Sequence, residues 1–228
     1  DMPKADRRSP PPPGWGSPFA SPYVSGPIDL PATLADDRVD NSGLKLPLDP
    51  RVFTAASLAV VTSGKFDRRH ARTIAGLLGD CRSLVDLDSG FGFIALRARL
   101  AVPGLQVTIH DERPGLVQFS RLVAAANVAD LAGINWTVLT LNPDAMWSGL
   151  AKLMTIVRPD ALRLSDARLP AEAFPPSALA GIRRILVPFL DPSEVALVRA
   201  RLAPAFAAAG FAEDPAGESA GTLLFRRD

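Results

Sequence analysis

The residues of this chain best able to do chemistry together are a few carboxylates and two glycines. Residues 83–93 read SLVDLDSGFGF: a short apolar run meets Asp86 and Asp88, then Ser89, then Gly90 and Gly92 one residue apart. Some way beyond the first glycine, the acidic pair Asp111 and Glu112 follows a second apolar run, residues 105–109. A carboxylate accepts hydrogen bonds from ribose hydroxyls or holds an ammonium, and glycine lets a ligand approach the backbone closely. A strand, a glycine turn, a helix and a second strand closed by an acid is the arrangement that binds an adenosine-containing cofactor.

The elements that must position these residues alternate along the chain. Helical spacing puts Phe66, His70, Ile74, Leu77 and Leu78 on one face. A strand over 83–87 is followed by a helix from about residue 93, a strand over 105–110, and a helix opened by Pro114. Strands over 134–141, 161–164, 182–190 and 222–225 follow, with helices predicted from Asn142-Pro143 and from Asp191-Pro192-Ser193-Glu194. Strict alternation predicts an α/β fold, a parallel sheet with right-handed crossovers and helices on both faces. Ligands of such sheets bind at the carboxyl ends of the strands, where Asp86, Asp88 and Asp111 fall.

Residues 90–95 also fit G-x-G-x-x-[G/A] formally. In a dinucleotide site the positions two and four before the first glycine lie inside the sheet and are apolar. Here they are Asp88 and Asp86, and burying two unpaired carboxylates costs several kcal/mol each. The nicotinamide or flavin reading fails on that ground.

Composition narrows the alternatives. The chain has 228 residues, a formal net charge of +1, a hydrophobic fraction of 47% and a charged fraction of 21%. Neither sign dominates, which argues against a dedicated nucleic-acid or membrane-surface binder. Cys81 is the single cysteine, so no intrachain disulfide or thiolate cluster forms. His70 and His110, on different elements with no cysteine pair, make a poor zinc site. Arg68, Arg69, His70 and Arg72 read as a solvated face. No apolar run is long enough to span a bilayer and no signal peptide is visible, so a cytoplasmic setting is expected. Half of the prolines, 11 of 22, fall in residues 1–50. That stretch reads as an extended Pro-rich arm, residues 1–50, ahead of one domain, residues 51–228. Trp15, Phe19 and Tyr23, spaced by fours, could anchor the arm on its own domain or on a partner chain.

The spacing acid-x-x-x-Gly-x-Gly resembles the first motif of class I S-adenosylmethionine-dependent methyltransferases. From about residue 64 to 211 the chain is similar to the FkbM-type members, bacterial enzymes that generally methylate hydroxyls of sugars and natural products. VDLDSGFGFIAL, the turn HDERP, the helix end Ala124-Ala125-Ala126-Asn127-Val128 and PDALRLSDARLPAEAF at 159–174 follow that family's order. The resemblance implies a Rossmann-like methyltransferase fold, a mostly parallel seven-stranded sheet with helices on both faces and a C-terminal antiparallel strand. It implies S-adenosylmethionine as cofactor, with Asp86 on the methionine ammonium and Asp111, beside Glu112, on the ribose. Asp88, Ser89, Gly90 and Gly92 would form the turn under the cofactor. Candidate general bases are Asp166 and His110.

The chain departs from that pattern where it matters. Asp88 replaces the leading glycine of the first motif, and Ser165, Ala167 and Arg168 replace an aspartate, a glutamate and a glycine of the later signature. Two readings follow: a small-molecule O-methyltransferase, or an inactive methyltransferase-like scaffold that docks a protein partner through its arm.

Overall fold

A computed structural model describes residues 21–139, 146–164, 176–189 and 192–228. An antiparallel hairpin comes first, β1 (Arg38–Asn41) and β2 (Leu44–Pro47), followed by helices α1 (Ala55–Thr62) and α2 (Arg68–Leu78). The alternating part then runs β3 (Ser83–Leu87), α3 (Phe93–Ala101), β4 (Gln106–His110), α4 (Pro114–Asn127), β5 (Ile134–Thr137), α5 (Met146–Val157) and β6 (Ala161–Leu164). It closes with a 3₁₀ turn at Pro176–Leu179, β7 (Arg184–Pro188), α6 (Pro192–Ala208), β8 (Ala212–Asp214), α7 (Ala216–Ser219) and β9 (Thr222–Arg226).

The seven-stranded sheet has the order β5-β4-β3-β6-β7-β9-β8. β3 to β7 pair in parallel, and β9 runs antiparallel between β7 and β8. The chain order reverses at β3, whose neighbours are β4 and β6, so the carboxyl end of β3 is the switch point at which such sheets bind ligands.

Each face of the sheet carries its own core. Leu84, Val107, Ile109 and Ala161 point to a layer containing α2, α3 and the hairpin residues Leu44 and Leu46. Val85, Leu87, Leu162 and Ile185 point to the layer of α5 and α6. The buried face of α2 is His70, Ala71, Ile74, Leu77 and Leu78, the face its spacing predicts. Pro114 opens α4 from its first position.

The expectation of an extended arm through residue 50 does not hold for residues 38–47. Leu44 and Leu46 are fully buried there, because Ser42 and Gly43, both with positive φ, allow a tight turn. β8 is only three residues long, too short to show a periodicity. The caps expected at Asn142-Pro143 and Asp191, together with Trp15 and Phe19, lie outside the described residues.

Candidate active site

Asp86 stands on β3 in register with Ile109 of β4 and Arg163 of β6. Its side chain is fully buried and so requires a partner. Arg163 provides one: its Nη1 lies 3.2 Å from both carboxylate oxygens, and the guanidinium is itself buried. An arginine inside the four-residue strand ALRL was the available signal that an acid on the next strand would be paired. Asp67, at the amino end of α2, belongs to the same neighbourhood. Burial pushes its carboxyl up, but the hydrogen bond with His70 and the charges of His70 and Arg163 outweigh that and hold it below the usual range. His70 spans from Asp67 Oδ1 (2.6 Å) to the Gly221 carbonyl (2.9 Å).

The turn after β3 is tied to the tip of β4 by consecutive main-chain donors. Asp88 N–H donates to His110 Nδ1 at 3.1 Å, Ser89 N–H to the His110 carbonyl at 2.9 Å, and Gly90 N–H to Asp111 Oδ2 at 2.8 Å. The Ser89 hydroxyl adds a second bond to the His110 carbonyl. Asp88, Gly90 and Gly92 all have positive φ, of 51°, 63° and 74°. The backbone therefore keeps the left-handed shape of a glycine turn even where aspartate replaces glycine. Aspartate tolerates that region better than most residues, at a cost of roughly 1 kcal/mol relative to glycine. Gly92 is required for packing as well: a Cβ there would meet Ile109 Cγ2 at 2.6 Å.

His110 is fully buried, with both ring nitrogens engaged. Nδ1 accepts from Asp88, so Nε2 carries the proton and donates to the Leu139 carbonyl at 2.8 Å. That is the environment of a group that positions the turn. Asp111, also fully buried, is gripped by Arg113, with Nε at 2.8 Å from Oδ1 and Nη2 at 2.9 Å from Oδ2. Glu112, half-buried, shares that strand tip. Asp166, with Ser165, Ala167 and Arg168, lies outside the described residues.

The space in front of the turn is filled by the chain itself. Pro22 and Val24 bond to the main chain around Phe53, which sets Tyr23 antiparallel to Phe53. Tyr23 then continues a ring cluster with Phe53 and Phe91 (centroids 6.1 Å away in each case), and Phe91 packs on Phe119 at 5.2 Å. Each such pair adds about 0.5–1.5 kcal/mol beyond simple burial. The phenol oxygen lies where a Cβ on Gly90 would point, and Arg113 stacks over the ring at 5.3 Å. Burial pushes the phenol pKa well above its ordinary value. Ile28 seals the next position by packing on Gly115. Of the three aromatics spaced by fours, the one among the described residues, Tyr23, is anchored on its own domain.

The turn thus keeps a left-handed backbone that the chain's own side chains cover. Asp111 is held from two directions, three amide donors are committed to β4, and Tyr23 covers Gly90. Two surface clefts of about 540 and 340 Å³ lie elsewhere and touch none of Asp86, Gly90 or Asp111.

No protein-family model and no curated protein matches the chain. Solved structures do. A putative caffeoyl-CoA O-methyltransferase from Staphylococcus aureus aligns with TM-score 0.50 at 8% identity, over 69% of this chain and 82% of that one. An O-methyltransferase family protein from Burkholderia thailandensis aligns at 0.47 and 15% identity over 77% of this chain, which spans 61% of its length. Magnesium protoporphyrin IX methyltransferase from Synechocystis PCC 6803, solved with bound SAM, gives 0.48 and 16% over 70% and 80%. The fold is the Rossmann-like methyltransferase fold. Its mark in this chain is the antiparallel β9 inserted between β7 and β8. Among the described residues, no helix is long and apolar enough to cross a membrane.

Proposed function

We propose that this chain is an S-adenosylmethionine-dependent methyltransferase of FkbM type that methylates a hydroxyl of a small molecule or sugar, with its cofactor site at the tips of β3 and β4. The observation that carries this reading is the left-handed turn Asp88–Gly92, latched to β4 beside Asp111 at a switch point of the sheet. The cofactor would supply an electrophilic methyl group on sulfur. Its amino-acid end carries one ammonium and one carboxylate, and the Asp86–Arg163 pair offers one charge of each sign. Asp111 is the acid for the ribose, and Arg113 must yield one of its contacts for that role. Tyr23 must leave Gly90 before a nucleoside can rest there. The protein's contribution to transfer is then positioning and exclusion of water. With both nitrogens of His110 committed, deprotonation of an alcohol falls to Asp166.

One observation favours a second reading, the scaffold: the Gly90 amide and the buried acids Asp86 and Asp111 at this mouth are all paired within the chain itself. The arm, residues 1–50, would then be the partner-binding element. Calorimetric titration of the full chain with S-adenosylmethionine and S-adenosylhomocysteine separates the two. Weak binding by the parent, tightened about tenfold or more in Tyr23→Ala and lost in Asp111→Asn, is expected of the enzyme. Silence from the parent, from Tyr23→Ala and from Asp88→Gly alike would leave the scaffold.

A further inference from the structure

Away from the sheet mouth, the turn of the β1–β2 hairpin, the α1–α2 connection, α2 and α3 enclose the larger cleft, of about 540 Å³. Its walls bring together Arg68, Arg72 and Arg97, with Asp40 as the acid among its lining residues. Arg68 and Arg72 stand four apart on α2, where like charges repel, so helix stability gives no reason for their placement. Arg97 reaches the same space from α3, which packs on α2. Arg68 and Arg72 belong to the run that reads from sequence as a solvated face; the fold separates its members. His70 is buried, and Arg69 turns to Phe189 and the carbonyls of Glu218 and Ser219.

The charge pattern of the cleft is unusual for this protein. Eight other arginines rest on a carboxylate. Among the described residues none pairs with Arg68, Arg72 or Arg97, and Asp40 Oδ1 is occupied by Gly43 N–H at 3.1 Å. The Ser63 hydroxyl at the rim donates its proton to the Val60 carbonyl, so it faces the cleft only as an acceptor. Arg97 adds an independent sign: its Nε is shut off from water with no acceptor among the described residues. A buried donor of that kind demands an acceptor, and a native protein rarely leaves it without one.

We propose that this cleft binds an oxyanion of the phosphate class, with a pyrophosphate group the best match. Guanidinium groups favour phosphate oxygens because their planar forks donate two parallel bonds at once. Three forks converging from two helices offer more donors than a single phosphate uses, and the cleft is wide enough for a second. An overall charge of +1 gives the chain no general basic excess, which points to a small phosphorylated molecule and not to a nucleic-acid strand. The site is independent of the cofactor reading, since it shares no residue with the sheet mouth.

The test is calorimetry on the full chain with inorganic pyrophosphate, then with orthophosphate and with chloride at matched ionic strength, because screening weakens all such contacts. Saturable one-to-one binding is expected, tighter for pyrophosphate than for orthophosphate and absent for chloride. Arg97→Gln and Arg72→Gln should each weaken it about tenfold or more, while Asp40→Asn, which removes the opposing charge and keeps the turn's acceptor, should tighten it severalfold. Arg72 is exposed, so its variant keeps its fold and its result stands by itself. No saturable heat with pyrophosphate, or unchanged affinity in both arginine variants, or weaker binding in Asp40→Asn, would overturn the assignment.

Discussion

At the mouth of the sheet each buried acid has an arginine, whereas in the cleft beside α2 three arginines share one acid. The fully buried acids of the first region are paired without any ligand, and among the described residues the arginines of the second are not. Buried charge cannot wait for a ligand, because an uncompensated carboxylate in a low dielectric costs too much, so Asp86 and Asp111 recruit partners from their own chain. Charge on an open cleft is tolerated, because water solvates Arg68 and Arg72 until an anion arrives. The contrast teaches that the more recognisable motif occupies the more self-satisfied site.

Replacing arginines on the two sides should break this contrast most sharply. Arg163→Met strands Asp86 in the core and should lower unfolding stability by about 3–5 kcal/mol, read from urea denaturation. The double variant Asp86→Leu/Arg163→Met should recover most of that loss. A single variant as stable as its parent would mean that the pair is not desolvated. A smaller loss, about 1–3 kcal/mol, is expected for Gly92→Ala, which combines a left-handed φ with a methyl pressed onto Ile109.

Asp67 supplies a pH test of the mouth. Its folded carboxyl titrates below the ordinary range, so the folded state binds fewer protons than the unfolded chain in acid. Its contribution is fully present above the unfolded value, about 3.9, and is lost as pH falls through the lower folded value. Urea midpoints measured through that window should fall less steeply in Asp67→Asn than in the parent. Equal slopes would remove Asp67 from the network. The smallest effect belongs to the cleft: Arg72→Gln should change stability by no more than about 0.5 kcal/mol, in either direction, in the same urea assay. A loss as large as that of Arg163→Met would show that the cleft arginine has a buried partner too.

Much of the architecture was legible in the residues. The period-two and 3.6-residue patterns that predict strands and helices arise from local geometry, and β3, α3, β4 and α4 begin and end close to where glycine, proline and apolar spacing place them. The hairpin Arg38–Pro47 was not legible inside a proline-rich stretch, because its two strands are four residues each and turn on Ser42-Gly43. The site was legible in part. Asp86, Gly90, Gly92 and Asp111 do gather around one turn, whereas His110 bonds that turn through Nδ1 and the Leu139 carbonyl through Nε2.

By itself the amino-acid order determined which residues stand at the strand tips, since alternation and turn chemistry depend on near neighbours. Only the tertiary structure decided what those tips face. Arg163 lies 77 positions from Asp86, Tyr23 reaches Gly90 from the far amino-terminal side, and Arg97 lines the same cleft as Arg68 from another helix. Partnerships of that range depend on strand register and helix packing, which bring distant side chains within reach of one another. No spacing in the linear chain encodes whether an acid is left for a ligand or consumed by the fold.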